Sequence, residues 1–310
     1  MKRVGIIGSG NVGSTLAFSI ATRNICNEIL IKDLREDFMK AISLDISQAS
    51  IINESSTTLK AITNAKDFKD CDIIIITAGV ARTPNMSRED LLLKNANILI
   101  SILDEIVKFN KNAIFITVTN PLDALTYLAI KHTKLDRKRV FGMAGELDSA
   151  RFKYYINEAL NFKAKNIKAQ VIGSHSNSMV PLVSNATVDG KKLEDVFTKE
   201  KIDEIIENTK NGGATIVELL KSGSAYFAPA IAVANMCEAI LNDSKKEFIC
   251  SVELCGEYGY NELTLGVPVV LGKDGIEAII EQNISQVEKS LLDISAKSIK
   301  DNINILKELL

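Results

Sequence analysis

Three side chains in this sequence could together move a proton beside a carboxylate-bearing molecule. The stretch "GSHSNSMVP" carries His175, one of only two histidines, and "GELDSARF" carries Asp148 and Arg151. A neutral imidazole is the side chain best suited to accept a proton near pH 7. Asp148 and Arg151 stand three apart, which puts them on one face of a helix. Two readings are open for that pair. One is a surface ion pair worth little; the other is a carboxylate that orients a histidine beside an arginine that grips a substrate carboxylate with two prongs. His132, in "AIKHTKLDRKRV", sits among basic residues toward a helix end and reads as a C-terminal cation.

A second constellation opens the chain. "VGIIGSGNVGSTLAFSI" sets Gly8, Gly10 and Gly13 in a G-x-G-x-x-G, with Ser9, Asn11 and Val12 between them, after a strand pattern and at the start of a helix pattern. Such a loop needs a tight turn at the first glycine, bare backbone beside a pyrophosphate at the second and close packing at the third. Asp33 closes the next strand twenty residues after Gly13, where a carboxylate accepts hydrogen bonds from an adenosine ribose. A carboxylate there repels a 2′-phosphate, so NAD is expected rather than NADP, although Arg35 keeps the alternative in view. Further strand ends supply Thr77, Ala78 and Gly79, then Val118, Thr119 and Asn120, at the edge where ligands bind open α/β sheets. Asn95 is either a cofactor contact or a solvated helix position. The loop "VARTPNMSREDLL" leaves that same edge with Arg82 and Arg88, and Asn85 within it tolerates positive φ, so a moving lid is expected.

The elements that must position these residues follow two rhythms. Residues 1–145 alternate β-rich runs ("RVGIIG", "EILIKD", "DIIIITAG", "NAIFITVTNP") with helical patterns, which predicts a parallel sheet covered on both faces. Residues 146–310 read as an α+β domain: a helix near 147–161, strand-like stretches "KAQVIGS" and "MVPLVSNATVDG", further helices, a hairpin within 247–271 and a long terminal helix. The expected fold is therefore an N-terminal dinucleotide-binding domain followed by an α+β substrate domain, with no linker between them. With 46% hydrophobic residues, 25% charged residues and a net charge of −2, the chain lacks the basic excess expected of a nucleic-acid wrapper. Small molecules and other subunits are its expected partners. No apolar run reaches a membrane span, and a cytoplasmic protein is expected. The five cysteines are scattered without a metal-ligand spacing, so reduced thiols and no metal are expected.

Across nearly its whole length the chain resembles the lactate and malate dehydrogenases, through "GSGNVG", "TAGVARTPNMSREDLL", "TNPLD", "LDSARF", "GSHSNSMVP" and "GSAYFAPA" in the family's order. The resemblance implies an NAD-dependent 2-hydroxy acid dehydrogenase. It assigns proton acceptance to His175, its carboxylate partner to Asp148, the substrate-carboxylate clamp to Arg151 and polarisation of the reacting carbonyl to Arg88. It also gives Asn120 contacts to cofactor and substrate, and puts the hydroxyl of Ser224 beside the substrate. Arg82 occupies the discriminating position, where malate enzymes carry arginine and lactate enzymes typically glutamine. Enclosing a second substrate carboxylate without a counter-charge would cost roughly 3–5 kcal/mol. Malate is thus the expected substrate, lactate the second reading, and a catalytically inactive NAD-binding sensor or scaffold a remote third. Asn85, Glu146, Ser176 and Asn177 depart from the family pattern: Glu146 is expected to add charge near the relay, and Ser176 to limit a backbone where glycine is usual. The family also implies a homodimer or homotetramer, with the segment "NEILIKDLREDFMKAISLDISQAS" supplying apolar positions for an interface or for the core.

Overall fold

The computed structural model describes residues 1–81 and 86–309. Six strands, β1 (Arg3–Ile7), β2 (Glu28–Lys32), β3 (Thr58–Ala61), β4 (Ile73–Ile76), β5 (Ile114–Thr117) and β6 (Val140–Met143), lie parallel in the order β3-β2-β1-β4-β5-β6. Helices α1 (Asn11–Thr22), α2 (Glu36–Ile52), α3 (Arg88–Ile106) and α4 (Leu122–Thr133) connect them. In this doubly wound order the connections reverse direction between β1 and β4, which opens a crevice at their carboxyl ends.

The strands are apolar throughout because both faces of the sheet are covered. In β4, Ile73 and Ile75 enter one core while Ile74 and Ile76 enter the other, as the two-residue period of a strand requires. The first core takes Leu16 of α1 and Met39 of α2; the second takes Leu92 and Leu99 of α3 and Leu125 and Leu128 of α4.

The second half starts with α5 (Gly145–Ala159). Short strands β7 (Ile167–Lys168), β8 (Val171–Ile172), β9 (Val180–Pro181), β10 (Thr187–Val188) and β11 (Lys191–Lys192) follow, then α6 (Leu193–Val196), α7 (Lys199–Leu220) and α8 (Phe227–Leu241). The antiparallel strands β12 (Lys246–Cys255), β13 (Asn261–Gly272) and β14 (Gly275–Ile279) precede α9 (Gln286–Ile305). Phe152 and Ile156 of α5 pack with Ile202 and Ile205 of α7 in a third core.

Two expectations change in detail. The stretches "KAQVIGS" and "MVPLVSNATVDG" form only two-residue strands, because Gly173 turns with φ +90° and residues Val183–Asn185 wind into a 3₁₀ turn. The sheet also crosses the expected boundary near residue 145: β12 pairs with β6 through Cys250 opposite Met143 and Ser251 opposite Gly142, extending the sheet to nine strands among the described residues. The two halves thus share one hydrogen-bonded sheet, which fixes the elements of one against those of the other.

Candidate active site

The glycine loop is built by close approach. Gly8 has φ +102°, and a Cβ on it would stand 2.7 Å from Thr77 Oγ1. A Cβ on Gly13 would stand 1.9 Å from the Gly8 carbonyl oxygen, so α1 can lie this near to β1 only with glycine there. Gly10 is different: a Cβ on it would meet nothing within 4 Å. It caps the start of α1 without a side-chain cap, and Asn11 and Val12 follow in the first turn. An open cradle before uncapped helix amides suits a pyrophosphate, so the residues present fit a dinucleotide.

Asp33, just past β2, stands over this loop. Its Oδ2 accepts hydrogen bonds from the Ser9 amide (2.6 Å) and the Ser9 hydroxyl (2.8 Å), and its Oδ1 accepts from the Arg35 amide (2.9 Å). Burial raises the carboxyl pKa, but hydrogen bonds from Arg35 and Ser9 outweigh it and hold Asp33 well below the usual carboxylate range. It is therefore a fixed anion at neutral pH. Arg35 lies across it, Nε 3.2 Å from Oδ1, and stacks on the Phe38 ring at 4.3 Å.

The strand ends after β4 and β5 are braced by their own side chains. Thr77 Oγ1 donates to the Gly8 carbonyl (3.0 Å) and Thr119 Oγ1 to the Ala78 carbonyl (2.8 Å). A Cβ on Gly79 would stand 2.3 Å from Thr119 Cγ2. Asn95 is neither solvated nor free: it is buried, accepts from the Val80 amide at 2.8 Å, and donates to the carbonyls of Val80 (3.1 Å) and Asn120 (2.7 Å). It ties the two strand-end loops together.

Past these loops the cleft deepens to about 260 Å³, lined by Val12, Val118, Asn120, Arg151, His175 and Ser224 among others. The glycine loop, the end of β5 and the second half of the chain thus meet at one place. The Asp148 side chain is only 1% exposed, and its Oδ2 lies 2.7 Å from His175 Nδ1. Its Oδ1 accepts from Arg151 Nη1 at 3.1 Å. Of the two readings of Asp148 and Arg151, the surface ion pair is excluded by burial. Burial disfavours the imidazolium, but the Asp148 carboxylate outweighs that effect and, with Asp123, raises the His175 pKa; Arg151 opposes them. With Nδ1 held by Asp148, Nε2 is the ring nitrogen left to exchange a proton in the cleft.

A residue that the sequence did not single out secures this histidine. Asp123, in the first turn of α4, accepts from the His175 amide (2.8 Å) and from the Ser251 hydroxyl (2.7 Å). Burial raises its pKa, against the hydrogen bonds from Ser251 and His175. Its carboxylate was visible only as the last letter of "TNPLD", and no spacing rule links it to partners 52 and 128 residues away.

The departures from the family pattern resolve differently. Ser176 and Asn177 both line the cleft, and the positive-φ residue of their loop is Gly173. The hydroxyls of Ser174, Ser176 and Ser178 form a triangle with sides of 2.6, 2.8 and 2.9 Å that braces the turn after His175. Glu146 does not stand near the relay as expected. It lies with Ser149 and Lys153 on the other face of α5, in a separate cavity with Gln170 and Glu247, because positions 146, 149 and 153 share one helical face and 148 and 151 another. Burial raises its pKa.

Arg88 begins α3, exposed, behind the capping box of Ser87 and Asp90, and it is not among the residues lining the cleft. Arg82 and Asn85 lie outside the described residues. His132, in the last turn of α4 as expected, lies with Nε2 2.7 Å from Asp104 Oδ1, far from the relay in role and neighbours.

Comparison with known proteins finds matches over both halves. Residues 2–142 match the family model for the lactate/malate dehydrogenase NAD binding domain, and residues 145–310 match that for the lactate/malate dehydrogenase alpha/beta C-terminal domain. The chain is 56% identical over 306 residues to a malate dehydrogenase of Aliarcobacter butzleri (strain RM4018), covering 99% of this chain and 98% of that protein. Among solved structures, malate dehydrogenase from Cryptosporidium parvum superposes with a TM-score of 0.95 at 40% identity, covering 99% of both chains. The lactate dehydrogenase of the same organism, complexed with lactic acid and nicotinamide adenine dinucleotide, gives 0.94 at 34% identity, covering 98% of both chains.

Proposed function

The chain belongs to the lactate/malate dehydrogenase family, and from that premise we propose that it interconverts malate and oxaloacetate with NAD, using His175 as the proton acceptor. The observation that carries the chemistry is the buried carboxylate of Asp148, shared between His175 Nδ1 and Arg151 in a cleft that the glycine loop also lines. The cofactor, when bound, supplies the site that takes hydride from C2 of the hydroxy acid. The hydroxyl proton leaves to His175 Nε2, and Asp148 stabilises the imidazolium that results. Arg151 Nη1 is held by Asp148, which leaves Nη2 and Nε to receive the C1 carboxylate as a fork. Gly213 leaves room for that guanidinium: a Cβ on it would stand 3.3 Å from Arg151 Nη2. Asn120 and Ser224 supply polar groups to the same cleft. In this reading Arg88, at the start of α3, polarises the reacting carbonyl.

Malate is proposed over lactate on two grounds: Arg82 in the sequence, and the malate dehydrogenases among the relatives. The test is NADH oxidation followed by absorbance with oxaloacetate and with pyruvate. Oxaloacetate should be reduced with the higher kcat/KM, and a preference for pyruvate would overturn the assignment. His175→Ala should abolish turnover while retaining NADH binding; a variant that still turns over would remove His175 from its role.

A homodimer or homotetramer is part of the same reading. Helices α1 and α2, adjacent on one face of the sheet, expose Phe18, Leu44, Ile51 and Ile52, and α8, packed on α1 through Arg23 and Glu238, exposes Phe227 and Ile231. Apolar side chains on neighbouring helices suit a subunit interface. Light scattering at working concentration should give a multiple of the 33.9 kDa chain mass. Among the described residues no helix is long and apolar enough to cross a membrane, and the cytoplasm is the proposed location.

A further inference from the structure

We propose that Lys210 draws the dicarboxylate into the cleft and holds its charge there, as a specificity-determining residue that acts on substrate capture. The proposal rests on the malate/oxaloacetate reading. Residues 210, 213, 214 and 217 recur at the three- and four-residue spacing of one helical face, and Lys210, Gly213, Ala214 and Val217 together form the α7 wall of the cleft. Lys210 is therefore turned toward the same space as Arg151 and His175.

Charge balance gives that position its meaning. Among the described residues, those lining the cleft include no Asp or Glu. Asp148 lies behind them, buried, and its single negative charge is shared by Arg151 and His175. Arg151 thus brings a partly compensated charge to the substrate. Lys210 makes no ion pair or side-chain hydrogen bond among the described residues, although it lines the cleft beside Arg151 and His175. Among the described residues lining the cleft, an entering dianion meets Arg151 and His175, both engaged by Asp148, and the half-buried Lys210, which is not engaged. An unpaired cation beside a low-dielectric wall raises the local concentration of an oppositely charged substrate and is screened by salt. A flexible stem lets the ammonium attract the entering dianion without imposing the planar geometry that Arg151 imposes on the C1 carboxylate.

The experiment compares wild type, Lys210→Gln and Lys210→Arg for oxaloacetate reduction at low and high NaCl, with NADH binding followed by fluorescence as the folding control. Lys210→Gln should raise KM for oxaloacetate by about fivefold or more at low salt, leave kcat within about twofold, and flatten the rise of KM with salt. Lys210→Arg should keep KM and its salt dependence near wild type. An unchanged KM and salt slope in Lys210→Gln overturns the proposal, and so does an equal loss in both variants, which would mean packing rather than charge. Wild-type failure to reduce oxaloacetate removes the substrate reading and this inference with it; wild-type turnover with an unaltered variant overturns the inference alone.

Discussion

Replacing Asp148 by asparagine tests the relay most sharply, because the two shapes are alike and only charge and proton arrangement change. In the native site Oδ2 takes the His175 Nδ1 proton and Oδ1 takes Arg151 Nη1. An amide cannot serve both. If its oxygen faces His175, its NH₂ group faces the guanidinium, donor against donor. If its NH₂ faces His175, the ring is forced into the tautomer whose Nε2 already carries a proton and cannot accept one. Removing one member of a buried charge pair costs about 3–5 kcal/mol, or roughly two to four decades in rate at 1.4 kcal/mol per decade. We therefore expect kcat/KM for oxaloacetate reduction to fall by about 10²–10⁴. The pH profile supplies the second readout. Reduction needs the imidazolium, so kcat/KM is high below the His175 pKa and falls as pH rises through it. Asp148 holds that pKa above the ordinary histidine value against burial. Without the charge, burial is opposed only by Asp123, and the descending limb should move to lower pH. The same raised pKa lends stability that is fully present below the unfolded histidine value of about 6.5 and is lost as pH rises through the folded value. A loss of less than about tenfold, or a limb that stays in place, would refute the relay.

Asp123→Ala leaves the His175 amide and the Ser251 hydroxyl without their acceptor, which costs about 1–3 kcal/mol for each stranded donor; urea unfolding should show a lower midpoint at unchanged m. Gly13→Ala drives a Cβ to 1.9 Å from the Gly8 carbonyl, and NADH fluorescence titration should show binding weakened at least about tenfold, since the loop must open to admit the methyl group. Arg82→Gln should lower kcat/KM for oxaloacetate relative to pyruvate by about a hundredfold or more, because the second carboxylate loses its counter-charge; an unchanged ratio in steady-state kinetics would sink the substrate assignment.

The parts of the site governed by short-range backbone geometry were legible in the sequence. The roles of Gly8, Gly10 and Gly13 follow from how near two chain segments lie, and their spacing to Asp33 is set by one strand, one helix and one turn. The alternation of Ile73 to Ile76 between two cores is likewise local, since a strand turns successive side chains to opposite faces. The helical spacing of Asp148 and Arg151 put both on one face, though it left open whether that face was wet or dry.

Tertiary structure decided what depends on charges and hydrogen bonds arriving from distant positions. Burial of Asp148 requires the C-terminal half to fold over α5, and only then does its carboxylate raise the pKa of a histidine 27 residues away. Asn95 proved a buried brace rather than a solvated helix position because its amide meets three backbone groups that no local pattern predicts. Asp123 and Lys210 carry no motif of their own. One gains its place from a strand 128 residues along the chain, and the other from a helical face turned toward a cleft that exists only after both halves share one sheet. Residue types and local periods determined which groups were available and which way they turned. Long-range packing decided which of them lost water and met each other, and electrostatics in the cleft depends on that loss.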